Sequence, residues 1–320
     1  MNSVAVIGAG AWGTALAIQA ARAGNAVTLW ARDPVTAQVM EQTRVAPRLP
    51  GHRLPGAIRI TAALTAAADI VLLAVPTQYL RQVLAALPPG DAPLVVCAKG
   101  VEAGTLRLPL EILAQGRPSA HGAVLTGPNF AHEIAAGLPA AAVVAGSDTS
   151  VRALVTQRMG TPAFRLYGND DPIGAQIGGA AKNVIAIAAG AVIGAGLGEN
   201  ARAALITRGL AELSRLAVAL GGHAETVAGL SGLGDLLLTC TGPASRNFSL
   251  GLALGRGQAL ADILAQRAAV TEGVATAPAL VARAAGVDMP ICTAVADLLQ
   301  GRTTLAEATA ALLARPRRDE

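Results

Sequence analysis

A doubly wound parallel sheet in the N-terminal part, followed by an all-helical C-terminal domain, is the α/β fold that this 320-residue sequence predicts. Three observations carry it. Short apolar runs bounded by Gly, Pro or Asn alternate with helical periodicities through the first half. From Ile173 onward the apolar residues recur at helical spacing, and no strand of comparable quality follows. With 52% hydrophobic and 14% charged residues, the chain is globular and long enough for two cores.

Val4–Ile7 is the first expected strand, followed at once by Gly8-Ala9-Gly10-Ala11-Trp12-Gly13 and an alanine-rich helix to Ala23. Strand, glycine turn and helix start make the setting in which GxGxxG is a dinucleotide fingerprint, so the first domain reads as Rossmann-like. Gly8 allows the turn, Gly10 and Ala11 let a pyrophosphate approach the backbone, and Gly13 lets helix pack on strand. The phosphates then meet the free N–H groups and positive dipole end of the helix. Val27–Trp30 is the second strand. Asp33 beyond it has the spacing of a ribose-binding carboxylate but precedes Pro34, and so reads equally well as a helix N-cap. Arg32 beside it suits a 2′-phosphate, which makes NADP the preferred cofactor and NAD a tolerated one.

Further strands are expected over Ile70–Val75, Leu94–Ala98, Ala123–Thr126 and Ala140–Ala145, with a last one over Phe164–Tyr167. Helices are expected at Thr77–Leu87 and Thr105–Ala114. Ligands of such sheets bind beyond the carboxyl ends of the strands. The fingerprint, Arg32, Pro76, Lys99 and the turn Gly127-Pro128-Asn129 all fall at such ends. The dinucleotide-binding domain is placed at residues 1–172 and a helical substrate and catalytic domain at 173–320.

The second domain opens with IGAQIGGAAKNVIAIAAGAVIGAGL, a long apolar run from Ile173 to Leu197 with one charge, Lys182. A membrane span would have to shelter Lys182 and Asn183, so a buried central helix is the expectation. On that helix Gly178 and Gly179 share the face of Lys182, leaving room for a ligand to approach. Lys99 and Lys182 are the only lysines among 25 basic residues; the rest are arginines. Lysine offers a compact ammonium that can exchange a proton. Helices are expected over Asn200–Leu220, Ala259–Ala265, Ala275–Ala285 and Thr304–Leu313, interrupted by two loops. Gly229–Asp235 reads as a flexible run ending in a carboxylate. Gly242–Asn247 reads as a turn that sets Ser245, Arg246 and Asn247 side by side as donors to phosphate oxygens.

Composition excludes other classes. The formal charge is +4, but the arginines are scattered and aromatics are 2%, which argues against a nucleic-acid platform and suits a small phosphorylated ligand. Cys97, Cys240 and Cys292 are too few for a disulfide framework, and the histidines lack metal spacing. The N-terminal apolar run is too short for a signal peptide, so a cytoplasmic protein without a membrane span is expected. The sequence leaves the assembly open, and a homodimer is compatible with it.

The segments GAGAWGTALA, CAKG, TGPNFA, GGAAKNVIAIAAG, ENARAALITRGLAE, GLSGLGDLLLTCTGPASRN and VTEG together resemble the bacterial NAD(P)-dependent glycerol-3-phosphate dehydrogenases. The resemblance covers the chain from Val4 to about Gly273. It implies interconversion of dihydroxyacetone phosphate and sn-glycerol 3-phosphate in the supply of glycerophospholipids. It also implies that Trp12, Arg32, Ala131, Val270 and Glu272 contact the cofactor, and that Lys99 and Arg246 serve cofactor and substrate alike. Gly127, Asn129, Ser245 and Asn247 would contact the substrate, with Asp235 beside it and Lys182 as proton donor and acceptor. Asn129 stands where the family is associated with serine or threonine, and its amide is expected to donate in their place. Two other readings remain at this point: a 3-hydroxyacid or 6-phosphogluconate type of dehydrogenase, and a non-catalytic NADP sensor.

Overall fold

A computed structural model describes residues 2–267 and 271–316. The chain divides into two compact units, one of residues 1–99 with 107–176, the other of residues 100–106 with 177–320. The first unit holds, in order, β1 (Ser3–Ile7), α1 (Ala11–Arg22), β2 (Ala26–Trp30), α2 (Pro34–Thr43), β3 (Ile58–Thr61), β4 (Ile70–Leu73) and α3 (Thr77–Ala86). It continues with β5 (Leu94–Val96), α4 (Pro109–Gly116), β6 (Gly122–Thr126), α5 (Ala131–Ala136), β7 (Ala140–Ala145), α6 (Thr149–Met159) and β8 (Phe164–Asn169).

These strands form one eight-stranded sheet in the order β3-β2-β1-β4-β5-β6-β7-β8. Its central strands read as continuous apolar runs because helices cover both faces; all four residues of β4 are buried. The order reverses between β1 and β4, which pair in parallel with Ile7 opposite Leu73, and a crevice opens at such a switch point.

Three features depart from the sequence reading. β3 is an additional strand, paired in parallel with β2; it alternates buried Ile58 and Ile60 with exposed Arg59, so it lacks the apolar run that marks the central strands. β7 runs antiparallel to β6, because α5 spans only Ala131–Ala136 and is too short to carry the chain back across the sheet. The helix expected from Thr105 begins at Pro109 instead, with Leu108 extended at ψ 155°, since a proline holds the residue before it out of helical backbone.

The second unit is helical: α7 (Pro172–Gly194, begun within the first unit), α8 (Gly198–Ala219), α9 (Ala224–Ala228), a π-helical turn (Leu230–Gly234) and α10 (Asp235–Cys240). After them come α11 (Arg246–Gly255), α12 (Leu260–Ala265), α13 (Glu272–Arg283), α14 (Pro290–Leu299) and α15 (Leu305–Leu313). By length and composition α7 could cross a membrane, yet 83% of its most apolar window is buried within the fold. It is a core helix.

Small residues set how closely the other helices approach it. A Cβ on Gly190 would lie 2.0 Å from the carbonyl oxygen of Phe248, and one on Gly251 would lie 1.9 Å from that of Ile187. The pairs Gly190/Gly194 and Gly251/Gly255 thus let α7 and α11 meet backbone to backbone. α14, missed from sequence, is tied to α8 by Glu212. Its buried carboxylate accepts from the N–H groups of Ile291 at 2.6 Å and Cys292 at 3.1 Å, the free donors of a helix N-terminus.

Candidate active site

In the first unit the fingerprint turn is built from steric necessity. Gly8 has φ +120°, and a Cβ there would lie 2.7 Å from the Ala74 carbonyl oxygen at the end of β4. A Cβ on Gly13 would lie 1.8 Å from the carbonyl oxygen of Gly8, whereas one on Gly10 would meet nothing within 4 Å. Gly8 and Gly13 therefore close the turn, and Gly10 leaves its outer side open. Gly10 is also the N-cap of α1 and supplies no side-chain cap, so the first-turn N–H groups of α1, Ala11 and Trp12 among them, face outward. Trp12 Nε1 is buried with no hydrogen-bond partner among the described residues. Open backbone donors and an orphaned ring N–H fit a dinucleotide that lays its phosphates over Gly10 and Ala11.

The neighbouring strand ends carry the other expected residues. Gly8 N donates to the Trp30 carbonyl at 3.1 Å, which places the end of β2, and Arg32 after it, beside the fingerprint. Arg32 is exposed. Asp33 is the N-cap of α2: its carboxylate accepts from the Thr36 N–H at 2.8 Å and from the Thr36 hydroxyl. The hydroxyl and N–H of Thr36 hold the Asp33 carboxyl below the usual aspartate range. Of the two readings of Asp33, the cap is the one realised.

Lys99, beyond β5, donates to the Gly127 carbonyl at 3.2 Å beyond β6. Gly127 has φ +130°, and a Cβ there would press on Ala142 Cα at 3.1 Å, so only glycine suits the position. Asn129 Nδ2 donates to the Ala141 carbonyl at 3.2 Å, and its Oδ1 is buried without a partner among the described residues. The expected donor is thus engaged with the sheet, and the orphaned atom is an acceptor. Ala131 opens α5 just beyond, and the hydroxyls of Thr77, at the start of α3, and Thr126, at the end of β6, are likewise buried without partners among the described residues.

In the second unit Lys182 is buried, 7% exposed, and Asp235 is fully buried. Their side chains form an ion pair. Lys182 Nζ also donates to the Thr239 hydroxyl at 3.0 Å, and that hydroxyl donates to the Asp235 carbonyl oxygen at 2.6 Å. A buried charge pair of this kind needs such further bonds to offset the loss of water. Thr239 went unnoticed in the sequence; its only signal was the four-residue spacing from Asp235, which puts both on one face of α10.

The run before Asp235 is not a flexible loop. Leu230–Gly234 is a π-helical turn that continues directly into α10. It also fills the space expected beside Lys182, since a Cβ on Gly178 would lie 2.6 Å from the Ser231 carbonyl oxygen. Gly178 therefore admits the backbone that carries Asp235, not a ligand. Burial by these elements pushes the neighbouring Cys240 thiol up to about 12, so it remains protonated at neutral pH.

Ser245, Arg246 and Asn247 do not lie side by side in a turn as expected: Ser245 caps α11, and Arg246 and Asn247 are its first residues. Ser245 is the N-cap, buried, and its hydroxyl oxygen accepts from the Phe248 N–H at 3.2 Å. The Asn247 side chain is buried too: Nδ2 donates to Asn183 Oδ1 at 2.8 Å, and Oδ1 accepts from the Gly273 N–H at 3.1 Å. This pair joins the residue after Lys182 to the first turns of α11 and α13. Arg246 alone of the three has an exposed side chain, at the positive end of the α11 dipole. Glu272 is the first residue of α13, and Val270 lies outside the described residues.

Known proteins resemble this chain over nearly its whole length. Residues 3–152 match the family model of the NAD-dependent glycerol-3-phosphate dehydrogenase N-terminus, and residues 171–310 match that of the C-terminus. The chain is 59% identical to the glycerol-3-phosphate dehydrogenase [NAD(P)+] of Acidiphilium cryptum over 99% of its own length and 98% of that protein. It is 53% identical to the enzyme of the same name from Gluconobacter oxydans, over 98% and 97% of the two chains. The crystal structure of glycerol-3-phosphate dehydrogenase from Coxiella burnetii superposes with a TM-score of 0.93 at 36% identity, covering 98% of this chain and 99% of that one.

Proposed function

Because the chain belongs to the NAD-dependent glycerol-3-phosphate dehydrogenase family, we propose that it interconverts dihydroxyacetone phosphate and sn-glycerol 3-phosphate with NAD(P)H and so supplies glycerophospholipid synthesis. The observation that carries this reading is the buried Lys182–Asp235–Thr239 set in the unit that also presents Arg246 at a helix N-terminus. Residues 1–172 serve as the dinucleotide-binding domain and residues 173–320 as the substrate and catalytic domain. Gly8 and Gly13 shape the phosphate turn, Gly10, Ala11 and Trp12 receive the pyrophosphate, and Arg32 takes the 2′-phosphate. Ala131, Glu272 and Val270 are assigned to the cofactor as well.

When bound, the nicotinamide supplies the hydride or accepts it. Reduction at C2 places negative charge on the ketone oxygen, and an acid positioned there lowers the barrier. Lys182 Nζ gives that oxygen its proton and, in the reverse direction, takes the proton from the hydroxyl. Asp235 and Thr239 hold the ammonium in place. Lys99, tied to Gly127, adds a second positive charge for substrate and cofactor, and Asn129 offers Oδ1 to a ligand donor. Arg246 grips the phosphate, aided by the α11 dipole. Ser245 and Asn247 act there mainly by shaping the first turn of α11.

The enzyme is assigned to the cytoplasm, with small molecules rather than nucleic acid as its partners; sedimentation of the purified protein tests for a homodimer. The activity is tested by following NADPH absorbance on addition of dihydroxyacetone phosphate, 6-phosphogluconate with NADP, or a 3-hydroxyacid with NADP. Turnover with the first alone is the expected outcome. Turnover with either of the others, or with none, rejects the proposal.

A further inference from the structure

Arg267 follows α12 and is half-buried against the first turn of α11. Its Nη1 donates to the carbonyl oxygen of Arg246 at 2.8 Å and its Nη2 to Ser249 Oγ at 3.1 Å. Ser249 Oγ in turn donates to the same Arg246 carbonyl at 3.1 Å. The guanidinium thus braces the turn that carries Arg246 through two groups in a fixed fork, a geometry a lysine ammonium does not offer.

The electrostatics of this brace are adverse. Arg267 sits at the end of α11 where the helix dipole is positive. Burial first, and then the like charge of Arg246, hold the Arg267 guanidinium below the usual arginine range. Among the described residues no carboxylate pairs with Arg267. A neutral amide would hold the Arg246 carbonyl without this penalty, so the charge calls for an anion to offset it.

We propose that Arg267 is a positioning residue for the substrate phosphate: it fixes the first turn of α11 and adds its charge to that of Arg246, raising the affinity of that turn for a dianion. This rests on the reading of Arg246 as the phosphate grip. Arg267 touches the carbonyl of Arg246 rather than the reacting atoms, and its effect is confined to substrates that carry a phosphate.

The test compares wild type, R267Q, R267K and R246A on dihydroxyacetone phosphate and on unphosphorylated dihydroxyacetone, at low and high ionic strength. R267Q is expected to raise KM for the phosphorylated substrate about tenfold at low salt and much less at high salt, because a partly exposed charge is screened. Its kcat and its kcat/KM for dihydroxyacetone stay within about twofold of wild type. R267K keeps the charge and is expected to retain most of the preference for the phosphorylated substrate. Equal losses on both substrates, or a loss that salt does not change, would mean that Arg267 only braces the helix and would overturn the proposal. So would an unchanged KM. If R267Q does not fold, R267K decides: a loss by R267K that is equal on the phosphorylated and unphosphorylated substrates overturns the proposal. R246A separates the two levels, since failure of R246A to discriminate the substrates rejects the phosphate reading itself, whereas discrimination by R246A but not by R267Q rejects only the role of Arg267.

Discussion

Gly251 on α11 packs directly onto the backbone of Ile187 on α7, so closely that a Cβ at Gly251 would stand 1.9 Å from the Ile187 carbonyl oxygen. With Gly190 facing Phe248 in the same manner, this contact fixes how α11, and Arg246 at its start, is mounted on the helix that carries Lys182. Backbone cannot yield as the end of a side chain can. Gly251→Ala is therefore expected to cost about 3 kcal/mol or more, the upper end for overpacking. Gly56→Ala, where a Cβ meets nothing within 4 Å, should stay within about 0.5 kcal/mol of wild type. Urea unfolding of both variants checks this, and equal stability would show that the two helices can separate at little cost.

Arg246→Ala should lower kcat/KM for dihydroxyacetone phosphate by about 1–3 kcal/mol, the range for a charge-assisted bond at an exposed arginine. It should change little with unphosphorylated dihydroxyacetone, which lacks the group being gripped. Steady-state kinetics on the two substrates measure the difference. A loss shared by both would assign Arg246 to the fold or to the cofactor.

Cofactor preference tests the end of β2. Asp33 spends its carboxylate on Thr36 as a helix cap, which leaves exposed Arg32 to meet a 2′-phosphate. Arg32→Ala is expected to reduce kcat/KM with NADPH by about 1–3 kcal/mol and to spare NADH, the effect shrinking at high salt. A wild type that prefers NADH, or a variant impaired equally with both, would contradict this assignment.

Glu212 gives the stability a pH dependence of known sign. Burial pushes its carboxyl above the usual glutamate range, against the pull of the Ile291 and Cys292 N–H groups. An acid raised in the folded state contributes stability that is fully present below its unfolded pKa and is lost as pH rises through the folded pKa. Glu212→Gln lacks this titration. The difference in Tm, variant minus wild type, should therefore become more positive from about pH 4 to about pH 8. Thermal melts across that range check it, and a difference that falls with pH would refute the burial argument.

How far the sequence could be read follows from which contacts are local. The fingerprint was legible because strand, glycine turn and helix N-terminus lie within one short stretch, although the contact that requires Gly8 comes from Ala74 on the neighbouring strand. The ends of β2 and β6 were legible as well, whereas β4 stops at Leu73 and β5 at Val96, short of the expected Val75 and Ala98. β3 was not, because its exposed Arg59 breaks the apolar run that a buried parallel strand displays. The reversal of β7 depends on how far α5 can reach, a tertiary matter that periodicity does not encode. In the second unit, the closeness of Lys182 and Asp235, 53 residues apart, came only with the family resemblance. Thr239 and the engagement of Asn247 with Asn183 were hidden because hydrogen bonds between helices leave no local pattern. Gly178 was misread for a related reason: a glycine beside a lysine looks like room for a ligand until the partner backbone that occupies it is known.

The role of Lys182 is tested most directly by kcat for NADPH-dependent reduction of dihydroxyacetone phosphate by Lys182→Arg beside wild type, with NADPH affinity measured on the same preparations. The substitution keeps the positive charge beside Asp235 but replaces a group that exchanges its proton with one that does not at working pH. The account predicts a kcat lower by about 10²–10⁴-fold, the contribution of a positioned general acid, with NADPH binding unchanged. A variant that binds NADPH normally and keeps about a tenth or more of wild-type kcat would contradict it, because the proton would then be reaching the substrate oxygen from a group other than Lys182.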